Sequence, residues 1–496
     1  VMLHFAFAKQ GFHIDEIYSY GLSNSYYNPF PTAVNEWTPS TYYQNYLMPN
    51  HATAFEYGSV MSNQVNDVHP PLYYLLFHTI ASFWQGGFSP MVGLTLNLGA
   101  HIATVIVLFF LIYYLTKNFY LSIFSGLFWG LSIGGLSSML FIRMYHLMGF
   151  FVISLLYLLL RYSRSNKSHT TILLIPIFIA TLLGALTHYY FYLYAFFIVV
   201  VACIGLLLIK EFKKAFLLGL IEAGAIGVAW AIFPAVFSHI FASNRGVEVL
   251  NNANNANFTE NLKLYLSFVQ EDLLADVSLP IFIGVLIGCV ILLFVQSKTL
   301  LNRVTFLQIV MIMLPMGLYI FLVQDLSHYH TARYIYPIYS VVAVSVVLVI
   351  YFALRAILSK PWSTVMTILG LSFIVLLGFK RETVYFQYLD QGTLTQNILE
   401  NPTDSAIVFS ASRWQIAEYS PQLALHDDVY PMILESTDAS DMPVMEAHDL
   451  DEPLTVYTNN PQLNQEDLIQ SVLEKYQLTD YKVLHQTNDL IVYYFE

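Results

Sequence analysis

The strongest constraint on this chain is its succession of apolar runs, each near the roughly 20 residues that a helix needs to cross a bilayer. They fall at about 91–115, 119–138, 142–162, 171–186, 188–209, 214–238, 279–296, 304–323, 334–357 and 362–378. A shorter run, about 70–84, follows His69-Pro70-Pro71, and Val1–Ala8 reads as the end of a first membrane helix, with a cleaved signal peptide as the plain alternative. Of 496 residues, 56% are apolar and 11% charged, against about 45–50% and about 25% in an average soluble domain. That balance excludes an ordinary soluble enzyme, a disordered chain and a nucleic-acid binder. The expectation is an all-α polytopic membrane protein with about 11–13 membrane helices, its surface satisfied by the lipid bilayer.

Charge divides the chain again. From Asp390 to Glu496 there are 19 acidic and 3 basic residues, whereas the preceding 389 residues carry 14 and 18. The tail therefore reads as a separate, water-facing material. Ala406–Phe409, Leu454–Tyr457, Tyr481–Leu484 and Ile491–Phe495 look like strands, and Trp414–Leu425 and Gln465–Tyr476 like helices, which makes it an α/β domain. The expected organisation is 1–8, 9–69 as a first outer loop with interfacial helices, 70–378 as the membrane domain, and 379–496 as the soluble domain. Cys203 and Cys289 both lie in apolar runs and imply no disulfide framework.

Basic residues gather in short loops: Arg161, Arg164 and Lys167; Lys210, Lys213 and Lys214; Lys298 and Arg303; Arg355 and Lys360. By the positive-inside rule these loops are cytoplasmic. The segments 9–69, 239–278, 324–333 and everything after 379 are then extracytoplasmic. If 70–84 crosses fully, this parity fails, so either that run re-enters or spans only partly, or one of the other spans is drawn wrongly.

The residues with chemical potential lie at the expected outer face. Asp15 and Glu16 follow the first membrane exit. In an extended segment they would point to opposite faces, leaving one as a general base and the other for structure; the plain alternative is a solvated acidic pair. His69-Pro70-Pro71 marks a helix entrance. Arg143 and Tyr145 sit at the outer end of one span, His188 and Tyr189 between two others, and His328-Tyr329-His330 with Arg333 in a further outer loop. An arginine in a membrane usually pairs or marks a pathway, or snorkels to the headgroups. The His-x-His spacing could bind a divalent metal, but two ligands do not by themselves make a site. A carboxylate and several cations on one face suit transfer of a group away from a lipid phosphate.

These motifs resemble the GT-C superfamily of membrane glycosyltransferases, in its protein O-mannosyltransferase and aminoarabinose-transferase branch. The likeness rests on Asp15-Glu16, on His69-Pro70-Pro71-Leu72-Tyr73-Tyr74, on Arg143-Met144-Tyr145, on Leu186-Thr187-His188-Tyr189-Tyr190 and on Arg333-Tyr334-Ile335-Tyr336-Pro337. It covers roughly residues 9–378. It implies a polyprenyl-phosphate-sugar donor, catalysis at the outer membrane face and no required metal or other cofactor; one base with an in-line attack implies inversion at the sugar, and the extracytoplasmic acceptor could be a protein, a cell-wall polymer or a glycolipid. Asp15 matches the family's acidic catalytic position, with Glu16 beside it. His69, Arg143, Tyr145, His188, Tyr189, His330 and Arg333 correspond to donor-binding positions. Some relatives carry Lys where this chain has His69, which makes its charge depend on pH. Two other classes compete. A transporter or flippase of lipid-linked or small anionic substrates would use ionisable groups near the midplane, for which Glu222 is a candidate. A membrane scaffold displaying the acidic tail would need no gathered acids and cations.

Overall fold

The computed structural model describes residues 1–84, 87–165, 167–242, 257–277, 303–327, 329–433, 452–459 and 463–496. The expected span 279–296, Cys289, His328 and most of the Asn-rich tract after Leu250 lie outside them. The chain divides into two compact units. The first holds Val1–Phe5, Val68–Tyr73 and Leu94–Tyr385, and the second Ala6–Asp67, Tyr74–Gly93 and Phe386–Glu496.

The first unit is helical and polytopic. Among the described residues, seven helices are long and apolar enough to cross a membrane: Pro90–Thr116, Tyr145–Ser163, Tyr190–Leu208, Phe212–Ile232, Leu307–Leu326, Tyr336–Ile357 and Lys360–Arg381. A bent helix pair makes an eighth if its two pieces are counted as one span. Phe119–Gly130 and Ile133–Leu140 meet at 55°, and Ser132 caps the second piece by accepting the Gly135 N–H, which replaces a backbone bond lost at the break. Tyr145–Ser163 is the central helix, 72% buried, whereas Phe212–Ile232 and Lys360–Arg381 are 28% buried. Their exposed side chains include Phe216, Leu220, Phe373 and Leu376. A helix that leaves such residues outward is solvated by hydrocarbon. Leu72–Phe83 has 12 residues, about 18 Å at 1.5 Å per residue. That is short of a hydrocarbon core of about 30 Å, so by length this helix is not a full span.

The second unit is an α/β sandwich of helices about one sheet. Its strands are β1 (Thr38–Pro39), β2 (Ser405–Ser410), β3 (Asp428–Ile433), β4 (Leu454–Thr458), β5 (Tyr481–Gln486) and β6 (Ile491–Phe495), in the order β1-β3-β2-β4-β6-β5. The three central strands are parallel, with Ala406 opposite both Val429 and Thr455. The pleat sends alternate residues to opposite faces. Ile407, Phe409 and Val456 pack with Leu468, Ile469 and Val472 of the helix Gln465–Tyr476 on one face. Ala406, Val408 and Tyr457 pack with Ile398, Ile416 and Leu423 on the other.

Two strands escaped the sequence reading. β3 contains Pro431, which argues against a central strand. It is tolerated because β1 covers only Asp428 and Val429, leaving Pro431 on an edge. β1 itself has two residues and pairs with a partner 391 positions away (Thr38 with Val429), so it has no local signal. The expected helix over 414–425 is two short ones, Arg413–Glu418 and Ser420–Leu423. Pro421 starts the second, because its ring removes the N–H that a continuous helix would need.

Candidate functional site

In the first unit, four of the expected residues come together. Leu72 donates its N–H to Leu186 O at 2.9 Å, which ties the His69-Pro70-Pro71 entrance to the turn carrying His188. The rings of His69 and His188 lie 6.0 Å apart. Arg143 Nη2 is 3.4 Å from His69 Nε2, and the Tyr145 ring is 5.1 Å from His188. Arg143, Tyr145 and His188 are all buried.

Arg143 sits in the turn between Ile133–Leu140 and Tyr145–Ser163, and polar neighbours hold that turn. Asn97 donates to the carbonyls of Met139 at 2.9 Å and Phe141 at 2.7 Å. The Arg143 N–H donates to Phe141 O at 2.7 Å. Ser138 Oγ and His146 Nδ1 bond at 2.8 Å on the far side. Sequence reasoning passed over Asn97, although a polar residue within an apolar helix was a usable signal.

His188 is not the cation expected of it. Burial, with His69 and Arg143 beside it, pushes its imidazole well below the ordinary range. Its Nδ1 accepts the Tyr190 N–H at 3.0 Å, so the neutral ring carries its proton on Nε2. Arg333 lies over the rings of Tyr329 and Tyr334, 5.4 and 5.1 Å from their centroids, a cation–π arrangement. Tyr334 in turn meets Tyr145 at 5.8 Å, which links Arg333 to the cluster through one ring. Gly149 allows this approach, because a Cβ there would stand 3.3 Å from Pro337 O. Tyr189 turns away: its hydroxyl bonds His239 Nδ1 at 2.7 Å. His330 is exposed, with its ring 6.4 Å from that of Tyr265. Among the described residues no three His, Cys, Asp or Glu side chains gather as a metal site. Glu222 is buried within Phe212–Ile232.

Helix direction orders these residues. Arg143, His188 and Arg333 precede Tyr145–Ser163, Tyr190–Leu208 and Tyr339–Ile357. Arg161 and Arg164, Lys210 to Lys214, and Arg355 mark the opposite ends of those helices.

Asp15 and Glu16 belong to the second unit. They lie not in an extended segment but in the first turn of Ile14–Asn24, with His13 as N-cap. The capping box separates the two carboxylates. Glu16 accepts the His13 N–H at 2.7 Å and pairs with Lys9 Nζ at 3.0 Å, both side chains fully buried. Lys9 also donates to Phe386 O at 2.7 Å. Burial lowers the Lys9 pKa, opposed by the Glu16 charge. Asp15 stays partly exposed, its Oδ2 3.6 Å from His13 Nδ1. Lys9, which the sequence reading passed over, is thus the group that commits Glu16 to structure.

No family model matches the sequence, and no curated protein does. Solved structures do share its fold. ArnT from Cupriavidus metallidurans bound to undecaprenyl phosphate aligns with a TM-score of 0.51 at 10% identity, over 99% of this chain and 96% of its own. The apo state of ArnT from the same organism gives 0.51 at 9% identity, over 96% and 95%. At such identity the likeness is one of architecture: this chain has the ArnT-like fold, a multi-pass helical membrane protein with a small C-terminal sheet domain.

Proposed function

We propose that the chain is a membrane glycosyltransferase that moves a sugar from a polyprenyl-phosphate carrier to an acceptor hydroxyl outside the cytoplasm. The observation that carries this reading is the buried Arg143–His69–His188 cluster, set in a fold shared with an ArnT that binds undecaprenyl phosphate. Arg143 offers a fixed positive charge and N–H donors to a phosphate. Neutral His188 offers an Nε2–H. Arg333 adds charge through its aromatic seat, and His69 and Tyr145 complete the donor-side set. Placing the basic helix ends on the cytoplasmic side puts these residues at the outer side.

In the proposed reaction the acceptor oxygen attacks C1 of the sugar while the C1–O bond to phosphate breaks. The bonding pair leaves on the polyprenyl phosphate, where Arg143 and the His188 N–H stabilise it. Asp15 takes the acceptor proton. One base and an in-line attack invert the anomeric centre. Glu16, committed to Lys9, holds the helix that presents Asp15.

The test is transfer of labelled sugar from a polyprenyl-phosphate donor by purified protein in liposomes. Asp15→Asn is expected to abolish transfer while leaving the thermal unfolding midpoint unchanged. Normal turnover by that variant would refute Asp15 as the base, and lipid or solute flux without any transfer would favour a transporter.

A further inference from the structure

The second unit contains a cavity of about 490 Å³ that the transfer reaction does not use. Its position follows from the sheet. β2 and β4 are adjacent and parallel. The segment after β2 packs on one face, through Ile416, Tyr419 and Leu423. The segment after β4 packs on the other, through Leu468, Ile469 and Val472. Where successive connections leave a parallel sheet to opposite faces, a crevice opens at the carboxyl ends of the strands, and α/β sheets bind their ligands there. Gln415 and Glu418 after β2, and Thr458 and Asn459 at the end of β4, line this cavity.

Two observations define what it accepts. Asp390, Glu418 and Asp489 line it, and among the described residues no Lys or Arg does. At its floor, Thr458 and Asn459 are 2% and 6% exposed. Thr458 Oγ1 and Asn459 Oδ1 have no hydrogen-bond partner among the described residues. Asn459 Oδ1 can only accept, and Thr458 Oγ1 can accept as well as donate, so the floor favours a guest that brings N–H donors. Burial, reinforced by Asp489, also pushes Glu418 up to about 7, a strain that a nearby cation relieves. The charge pattern separates an organic cation from a metal ion. No three carboxylate or imidazole groups among the described residues gather around one point, so the negative charge is distributed along the cavity.

We propose that this cavity binds a small linear oligoamine, whose spaced ammonium groups meet the spaced carboxylates and whose N–H donors face the Thr458–Asn459 floor. The cavity lies within the range of about 300–1,000 Å³ typical of small-molecule sites. The proposal stands apart from the transfer reading, because none of its residues takes part in that reaction.

The experiment is calorimetric titration of the full-length protein in detergent with spermidine and putrescine, and separately with magnesium and calcium, at constant ionic strength. One saturable oligoamine site is expected. Glu418→Gln should weaken it about tenfold, the loss of one charge-assisted contact. Asn488→Lys, an exposed position on the cavity lining, should abolish it without disturbing the fold. Glu466→Gln, exposed and outside the lining, should leave it unchanged. Non-saturable binding, equal loss in Glu466→Gln, or unchanged affinity in Asn488→Lys would overturn the proposal. Equal or tighter binding of the divalent metals at this site would overturn it too.

Discussion

At Asp15 and Glu16 two chemically similar side chains differ through their partners. Glu16 is buried against Lys9 and closes a capping box, while Asp15 is left partly exposed beside His13. Removing one member of a buried ion pair leaves the other uncompensated, at a cost of about 3–5 kcal/mol. Glu16→Gln is therefore expected to lower the unfolding midpoint markedly, unlike Asp15→Asn; thermal unfolding of the two purified variants in detergent separates the roles. Glu418 supplies a pH test. Its carboxyl is pushed from the ordinary 4.5 up to about 7. Between those values the folded protein keeps a proton that the unfolded chain has released, so this residue's contribution falls as pH rises and is fully lost above about 7. Glu418→Gln removes that slope. Above pH 7 the variant should be the more stable by on the order of 1 kcal/mol, after allowing for partial exposure, and the two should converge near pH 4.5. Unfolding midpoints across pH 4–9, compared between parent and variant, check this.

Among the elements, the broken helix pair before Arg143 matters most. Its second piece ends at Leu140, and the carbonyls of Met139 and Phe141 are held by a single amide from the neighbouring helix, that of Asn97. Asn97→Leu removes that donor and loosens the turn carrying Arg143. The expected effect is an apparent donor KM raised about tenfold, with a smaller change in kcat, since ground-state binding of the phosphate is what suffers. Steady-state kinetics with varied donor measure the split. A fall in kcat at unchanged KM would contradict the bracing role. Local signals did mark this region: the helix itself, its apolar character and the lone arginine were all legible. The break at Leu131 and Ser132 was not, because an uninterrupted apolar run carries no mark of a bend that depends on a cap and on packing.

For the whole molecule, the chain order and the order in space differ. The second unit is assembled from three separated segments. Tyr43, from the first, lies in the same apolar cluster as Leu394, Val408 and Tyr457 from the last, and β1 adds an edge strand to β3. A fragment of residues 386–496 alone should therefore expose apolar surface and bind a hydrophobic dye. Joining residues 9–67 to it through a flexible linker should suppress dye binding and raise its unfolding midpoint. Circular dichroism and dye fluorescence of the two fragments test this.

The sequence by itself determined the membrane character, the position of nearly every described span, the α/β nature of the acidic tail and the identities of the candidate polar residues. These signals are local or periodic: run length, alternation, charge count. Only the tertiary structure decided that Glu16 belongs to Lys9, that His188 is neutral, that Arg333 is seated on tyrosine rings and that a two-residue strand near position 38 completes a sheet hundreds of residues away. Each of those outcomes depends on burial and on partners remote in sequence, and neither quantity is written in the order of residues along the chain.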